Sequence, residues 1–301
     1  MIAGMLGAVM VSGCAGHDTA ALPAPVPTPT MSSVLREQLP ITAYELAEPQ
    51  VAQTEYLGQR LQQRCMQGFG FDYLPGLSTA YIGQSVRIMQ EFDTRRYGVS
   101  DPVAIQTFGY QLPSWTAGTT PTSGSNKLPA PELAVLIGTA TAYHDRPVPA
   151  GGCSAQAEQE LSQAGISNEV QQSGGSGAGT LAGDIRSSAF DQAQSDPRVR
   201  AVFAKWSACM RAYDYSYGTP FAAGADPRWP TTGPPSAAEI ETAERDLDCK
   251  LRVNLLGVEF AVESDYENIA IARNASALAA IRTEVGTETT DIRRAMAEYG
   301  T

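Results

Sequence analysis

Only two histidines, His17 and His144, and five cysteines occur in 301 residues, and that scarcity removes several common chemistries. No Cys-x2-4-Cys spacing and no neighbouring histidine pair is present, so the ligand pattern of a structural zinc site is missing. There is no EF-hand spacing for calcium. The chain has no Gly-x-Gly-x-x-Gly segment and no P-loop, which removes the usual glycine-rich cradles for dinucleotides and nucleoside triphosphates. A Gly-x-Ser-x-Gly nucleophile elbow is also missing. His144 stands beside Asp145 in AYHDRP, but adjacent side chains do not orient one another as the members of a catalytic relay do, so it reads as a loop histidine. No catalytic residue, metal or cofactor is expected.

Positive charge is scarce as well. Lys plus Arg number 21 against 32 Asp plus Glu, a net charge of -11. A body this acidic gains no long-range attraction to phosphates and is repelled by anionic headgroups. Nucleic acid is therefore not an expected partner, and membrane contact needs an anchor.

A long apolar run is missing too. Residues 2-11, IAGMLGAVMV, fall well short of the roughly 20 residues that cross a hydrocarbon core as a helix. They read as the end of a signal peptide without its basic n-region. Val11-Ser12-Gly13-Cys14 follows, a lipobox-like sequence in which small residues admit a signal peptidase and the cysteine thiolate accepts lipid. Residues 1-13 are thus expected to be a partial signal peptide and Cys14 the lipidated anchor. From Ala15 to Thr30 there is no apolar periodicity, and Pro23, Pro25, Pro27 and Pro29 alternate strictly. Such a segment stays extended at about 3 Å per residue, so 14-40 is expected to be a lipidated stalk carrying an exposed His17. Residues 41-301 form the body, with a Gly/Ser stretch at 173-179 as a candidate subdivision.

Four cysteines remain, and an exported body is expected to oxidise them in one of three connectivities. RCMQGFGFDY around Cys65 and ACMRAYDYSY around Cys209 share a following Met and aromatics at +4, +6 and +8: Phe69, Phe71 and Tyr73 against Tyr213, Tyr215 and Tyr217. Each looks like a helix end that runs into an aromatic extended exit. Matching treatment of the two repeats pairs Cys65 with Cys153 and Cys209 with Cys249. Closing loops of about 90 and 40 residues would then stabilise by roughly 4-5 and 4 kcal/mol on the chain-entropy estimate.

Helical periodicity dominates the body. Leu57, Leu61 and Cys65 share a face at spacing four, and Val199, Val202, Phe203, Trp206, Cys209, Met210 and Tyr213 form a stripe behind Pro197. Asp101-Pro102 suits a short helix start. Thr116 to Asn126 reads as a loop. Ser236 and Glu239 read as a capping box opening one long enclosed helix through Val262, with helical patterning continuing to Val285 and a terminal helix at Asp291-Tyr299. Strand patterns are weak, so the expected fold class is mainly α, a disulfide-stapled helical domain with long irregular loops.

Four segments, Cys65-Met66 with its aromatic exit, Arg95-Arg96-Tyr97-Gly98, the Trp-x-x-Cys-Met of 206-210 and the Asp-x-x-Cys-Lys of 246-250, together resemble a family of actinobacterial lipoproteins and secreted proteins over roughly 52-285. That resemblance implies export and an intact stapled fold. It carries no activity over.

The functional expectation is a surface-tethered binding or structural lipoprotein, anchored on the extracytoplasmic face of the cell membrane, that recognises a protein, peptide or cell-wall component. Phe69, Phe71, Tyr73, Tyr213, Tyr215 and Tyr217 are the candidate ligand contacts: a groove lined by them favours recognition, and burial of all six removes the motive. The other reading is a carboxylate-dependent cell-wall hydrolase drawing on Asp72, Glu91, Asp93 and Glu263, which needs two acidic groups about 5-9 Å apart in a cleft. Arg95 and Arg96 read as salt-bridge residues rather than a phosphate clamp.

Overall fold

The computed structural model describes residues 23-33, 39-74, 76-113, 128-167 and 181-300. Cys14, His17, the loop at 116-126 and the Gly/Ser stretch at 173-179 lie outside them. Among the described residues, a 3-10 turn at Pro40-Tyr44 leads into eleven α-helices: α1 Glu48-Gly68, α2 Ala80-Thr94, α3 Pro102-Phe108, α4 Ala130-Leu136, α5 Gly152-Gln163, α6 Leu181-Ser195, α7 Pro197-Arg211, α8 Pro220-Gly224, α9 Ala237-Val253, α10 Leu255-Arg273 and α11 Ala275-Tyr299. Two short strands, β1 Ala142-Tyr143 and β2 Arg146-Pro147, pair antiparallel. The fold is therefore mainly α-helical, stapled by two disulfides and joined by irregular loops.

Local chemistry sets most helix starts. Asp101 Oδ1 accepts the Val103 N-H at 2.8 Å, and Asp196 Oδ1 accepts the Arg198 N-H at 2.7 Å, each ahead of a proline in the first turn. Ser236 Oγ accepts the Glu239 N-H at 3.1 Å. The other half of that capping box does not form. Glu239 is fully buried, and its Oε1 accepts the Tyr110 N-H at 3.1 Å instead of reaching back to the cap.

The long helix expected from Ser236 through Val262 is broken at Asn254 into α9 and α10, and the later patterning and the expected terminal helix at 291-299 fall largely within α11. Asn254, with φ 53°, adopts the left-handed conformation between α9 and α10, and Asn274 separates α10 from α11. Asparagine tolerates that conformation better than the leucines and valines around it. The apolar spacing continues through the bend, which is why the pattern alone reads as unbroken.

Two groups of helices share the core. In the first, α1 packs on α2, α5 and α11, enclosing Leu57, Leu61, Leu161 and Ile292. In the second, α10 packs on α6 and α7 while α9 packs on α3, α7 and α8, around Val202, Trp206, Met210, Leu256 and Val262. Helices from both sides of the 173-179 stretch enter each group, because α3 joins the second and α11 returns to the first.

Each group holds one disulfide: Cys65-Cys153 ties α1 to the start of α5, and Cys209-Cys249 ties α7 to α9. The two Cys-Met repeats end in the same way. Met66 O accepts the N-H groups of Phe69 and Phe71 at 3.0 and 3.2 Å, and Met210 O accepts those of Tyr213 and Tyr215 at 3.0 and 3.1 Å. The longer bond of each pair closes a Schellman-type turn, which needs a left-handed residue; Gly70 and Asp214 fill equivalent positions with φ 87° and 66°. The residue two before each cysteine then fastens the returning chain: Gln63 Nε2 donates to Leu74 O, and Ser207 Oγ to Tyr217 O, both at 2.6 Å.

Over its described part, the proline-rich segment has no helix or strand and does not stand free of the body. Val26 N-H donates to Asp265 Oδ1 at 2.5 Å, and the Asn254 amide accepts from Met31 N at 3.2 Å and donates to Pro29 O at 2.8 Å. The Pro29 carbonyl lies where a Cβ on Gly257 would stand, so the glycine admits this segment against α10.

Replacing Cys209 and Cys249 together by alanine is expected to lower unfolding free energy by about 4 kcal/mol, and Cys65 with Cys153 by slightly more. Denaturant titration measures both losses. Non-reducing peptide mapping should recover a fragment joining Cys65 to Cys153 and none joining Cys65 to Cys209.

Candidate functional site

The first aromatic exit meets the hairpin because the Cys65-Cys153 bond brings the end of α1 to the start of α5, just after β2. Tyr73 is sealed at 1% exposure with its hydroxyl on Gln62 Oε1, so it is not a ligand contact. Phe69 and Phe71 remain half-buried. The Tyr143 ring lies 4.8 Å from Phe71, His144 stands edge-on to Tyr143 at 4.3 Å, and the Arg146 guanidinium lies 5.2 Å over Phe69. His144 and Asp145, at φ 45° and 59°, are the two central residues of a tight hairpin turn, a conformation of primed turns that fixes the imidazole at an exposed tip. The outcome is a partly exposed row of rings flanked by a cation, held from both sides by short connections.

The second exit is differently committed. Tyr213 OH donates to Asp248 Oδ2 at 3.1 Å beneath the guanidinium of Arg245. Tyr215 and Tyr217 stack at 6.4 Å, and Tyr217 OH donates to Asp226 Oδ2 at 2.6 Å while accepting from Arg228 Nη2 at 2.8 Å. Burial, reinforced by Asp226, pushes the Tyr217 phenol up to about 12, and the Arg228 guanidinium holds Asp226 well below the usual carboxylate range. The six aromatics therefore line no common groove. They divide between the two disulfide stations, Tyr73 being buried and the hydroxyls of Tyr73, Tyr213 and Tyr217 engaged.

Beside the second exit is a shallow depression of about 380 Å³ between Arg200 and Arg211, with Phe203 and Ala204 at its floor and Ser207, Gly218 and Thr219 around it. It opens on the outer face of α7, where Arg198, Arg200, Ala201, Ala204, Lys205, Ala208 and Arg211 are all exposed. No carboxylate interrupts that face. The sequence contains this signal, since these residues are the complement of the apolar stripe in 197-213, but the whole-chain charge conceals it.

Behind these surfaces lies a row of enclosed carboxylates, of which the sequence singled out only Glu263. Glu259, Glu263 and Glu267 recur at spacing four on α10, all at 0% exposure. Glu263 accepts from Arg96 Nε at 3.0 Å, from Arg96 Nη2, and from Tyr97 OH at 2.6 Å. Glu259 Oε1 accepts from Gln194 Nε2 at 2.9 Å, and Glu267 Oε2 from Ile41 N at 3.0 Å. Burial pushes Glu259 up to about 8 and Glu267 up to about 7, and the phenol of Tyr97 well above its ordinary value. Of the carboxylates considered for hydrolysis, Glu263 is engaged by Arg96 and Tyr97, Glu91 is paired with Arg95 at 2.6 Å, and Asp72 is exposed. Arg95 and Arg96 are both ion-paired side chains.

Among the described residues no three His, Cys, Asp or Glu side chains are grouped to hold a metal ion, and no described helix is long and apolar enough to cross a membrane. Comparison of the chain with protein families, with curated proteins and with solved structures gave no match.

Both raised glutamates hold a proton more tightly when folded than at their ordinary value of 4.5. The stability they confer is therefore complete below about pH 4.5 and is lost as pH rises through 7 and 8. Glu259→Gln removes one of these titrations, so urea midpoints should show the variant gaining on the parent between about pH 5 and pH 8. Arg96→Met leaves Glu263 buried without its cation and is expected to cost about 3-5 kcal/mol in the same assay.

Proposed function

We propose that the chain is a surface-tethered binding lipoprotein, lipidated at Cys14, held on the extracytoplasmic face of the cell membrane, and recognising a cell-wall component, peptide or protein. The observation that supports this reading is the row Phe71, Tyr143 and His144 with Arg146 over Phe69. Flat ring faces supply apolar contact at little conformational cost, while imidazole and guanidinium supply donors for hydroxyl or carboxylate groups. That combination suits a sugar chain bearing short peptides. Because the disulfide and the two-residue turn position the rings before any ligand arrives, less ordering free energy opposes binding.

Phe71→Ala and Tyr143→Ala each remove one aromatic face, and truncation of such a contact typically costs about 1-2 kcal/mol. The double variant should lose at least about tenfold in retention on purified cell wall, with its helical circular dichroism unchanged. Equal retention of parent and variant would remove the basis for this reading. Separately, Cys14→Ser should shift the protein from the membrane to the soluble fraction.

A further inference from the structure

The N-terminal arm and the basic face of α7 meet at a single carboxylate. Asp265 accepts the Val26 N-H through Oδ1 and the Arg198 Nη1 through Oδ2, both at 2.5 Å. The arm therefore joins the body beside the first turn of α7. Its next residues are fastened by Asn254, so the chain from Val26 onward to Met31 belongs to the body. Only the eleven residues between Cys14 and Val26 can act as a spacer, twelve steps of chain with a reach of about 40 Å when fully extended.

From that point α7 presents Arg198, Arg200, Lys205 and Arg211 among exposed alanines. Arg198 is engaged by Asp196 and Asp265. Arg200, Lys205 and Arg211 have no carboxylate partner among the described residues, although the chain carries 32 acidic groups. Surface cations on an acidic protein ordinarily find such partners or scatter; here three without a carboxylate partner lie on the exposed side of a single helix. The alanines between them add no bulk that would hold a flat surface away. The depression between Arg200 and Arg211 has room for a phosphodiester group; the Ser207 hydroxyl at its wall is engaged, donating to Tyr217 O and accepting from Arg211 Nη1 at 3.0 Å.

We infer that the outer face of α7 docks on the anionic headgroups of the bilayer in which Cys14 is anchored, an inference that rests on the lipid tether of the proposed function. Each lysine or arginine brought near an anionic membrane strengthens association by about fivefold, within a screening distance of about 8-10 Å. The tether makes this encounter intramolecular and so raises its effective concentration. The remaining surface of a chain with net charge -11 is repelled by the same headgroups, so attraction and repulsion both turn α7 toward the membrane. The net charge that argues against membrane contact by the body as a whole thus orients it.

Lys205 reports the contact directly, because of the two lysines among the described residues Lys250 is wholly buried. The lipidated full chain is reconstituted into vesicles of phosphatidylcholine alone or mixed with phosphatidylglycerol, and acetylation of Lys205 by an amine-reactive reagent is followed by mass spectrometry. Phosphatidylglycerol should slow acetylation at least about fivefold, high salt should restore it, and Arg200→Glu with Arg211→Glu should abolish the protection. Arg273→Glu with Arg282→Glu, an equal charge change on α10 and α11, should leave it intact. Equal rates in both vesicles overturn the inference. So does protection that appears only on adding soluble anionic wall polymer or an acidic peptide, an outcome that leaves the proposed binding function standing. An unmodified Cys14 in the intact mass of the native protein removes the tether itself and is distinguishable from both.

Discussion

The enclosed carboxylates of α9 and α10 constrain the fold more than any apolar contact does. A carboxylate removed from water must be hydrogen-bonded, paired or protonated. Here the partners come from segments distant in sequence. Glu239 takes the Tyr110 N-H, Glu263 takes Arg96 and Tyr97, Glu259 takes Gln194, and Glu267 takes the Ile41 N-H. Asp246 receives the Trp206 indole at 2.9 Å and Lys250 at 3.0 Å, and Lys250 also donates to Val99 O at 2.9 Å. Apolar packing tolerates small slides between helices, whereas these bonds have one register. The stretch from Arg95 to Gln111, which includes α3, is tied near both ends by them through Arg96 and the Tyr110 N-H, and the Arg95 guanidinium, paired with Glu91, also bonds the carbonyls of Tyr110 and Gln111.

That arrangement leaves the outer surfaces free to differ. One disulfide station shows half-exposed rings beside a hairpin tip, and the other shows a cationic helix beside engaged tyrosines. The two exits share their turn, their buried methionine and the tie from the residue two before the cysteine. They differ in what is appended: the 142-147 hairpin covers the first, and α8 with the Asp226-Arg228 turn covers the second. A repeated local scaffold thus carries two unlike faces.

Much of this was legible in the residues because helix formation depends on local periodicity and caps. The stripe from Val199 to Met210, the Asp101 and Asp196 caps and the proline starts all depend on neighbours within one or two turns. The disulfide pairing followed from the likeness of two nine-residue exits. What escaped depends on distant partners. α6 is missed because its buried side, apart from Ile185, is Ala182, Gly183, Ala189 and Ala193, small residues that bring the backbone close to α10 while giving little apolar contrast. Glu239 satisfies a capping pattern on paper but finds a partner 129 residues away. The glutamates at 259, 263 and 267 look like a solvated side of a helix until every face of that helix is covered. His144 illustrates the reverse case: an isolated imidazole next to an aspartate invites a chemical role, and its backbone dihedrals account for the pair as a turn.

The return of α11 to α1 has a consequence for how the polypeptide is made. Ile292 and Ala295 complete the cluster begun by Leu57 and Leu61, and Tyr56 OH reaches the Gly300 carbonyl at 3.2 Å. Synthesis delivers the N-terminal half first, at about 5-20 residues per second. For the many seconds before the last helix emerges, the seat it will fill stays open and the early helices lack their closing layer. The early helices thus acquire their full apolar enclosure only once Ile292 and Ala295 are in place.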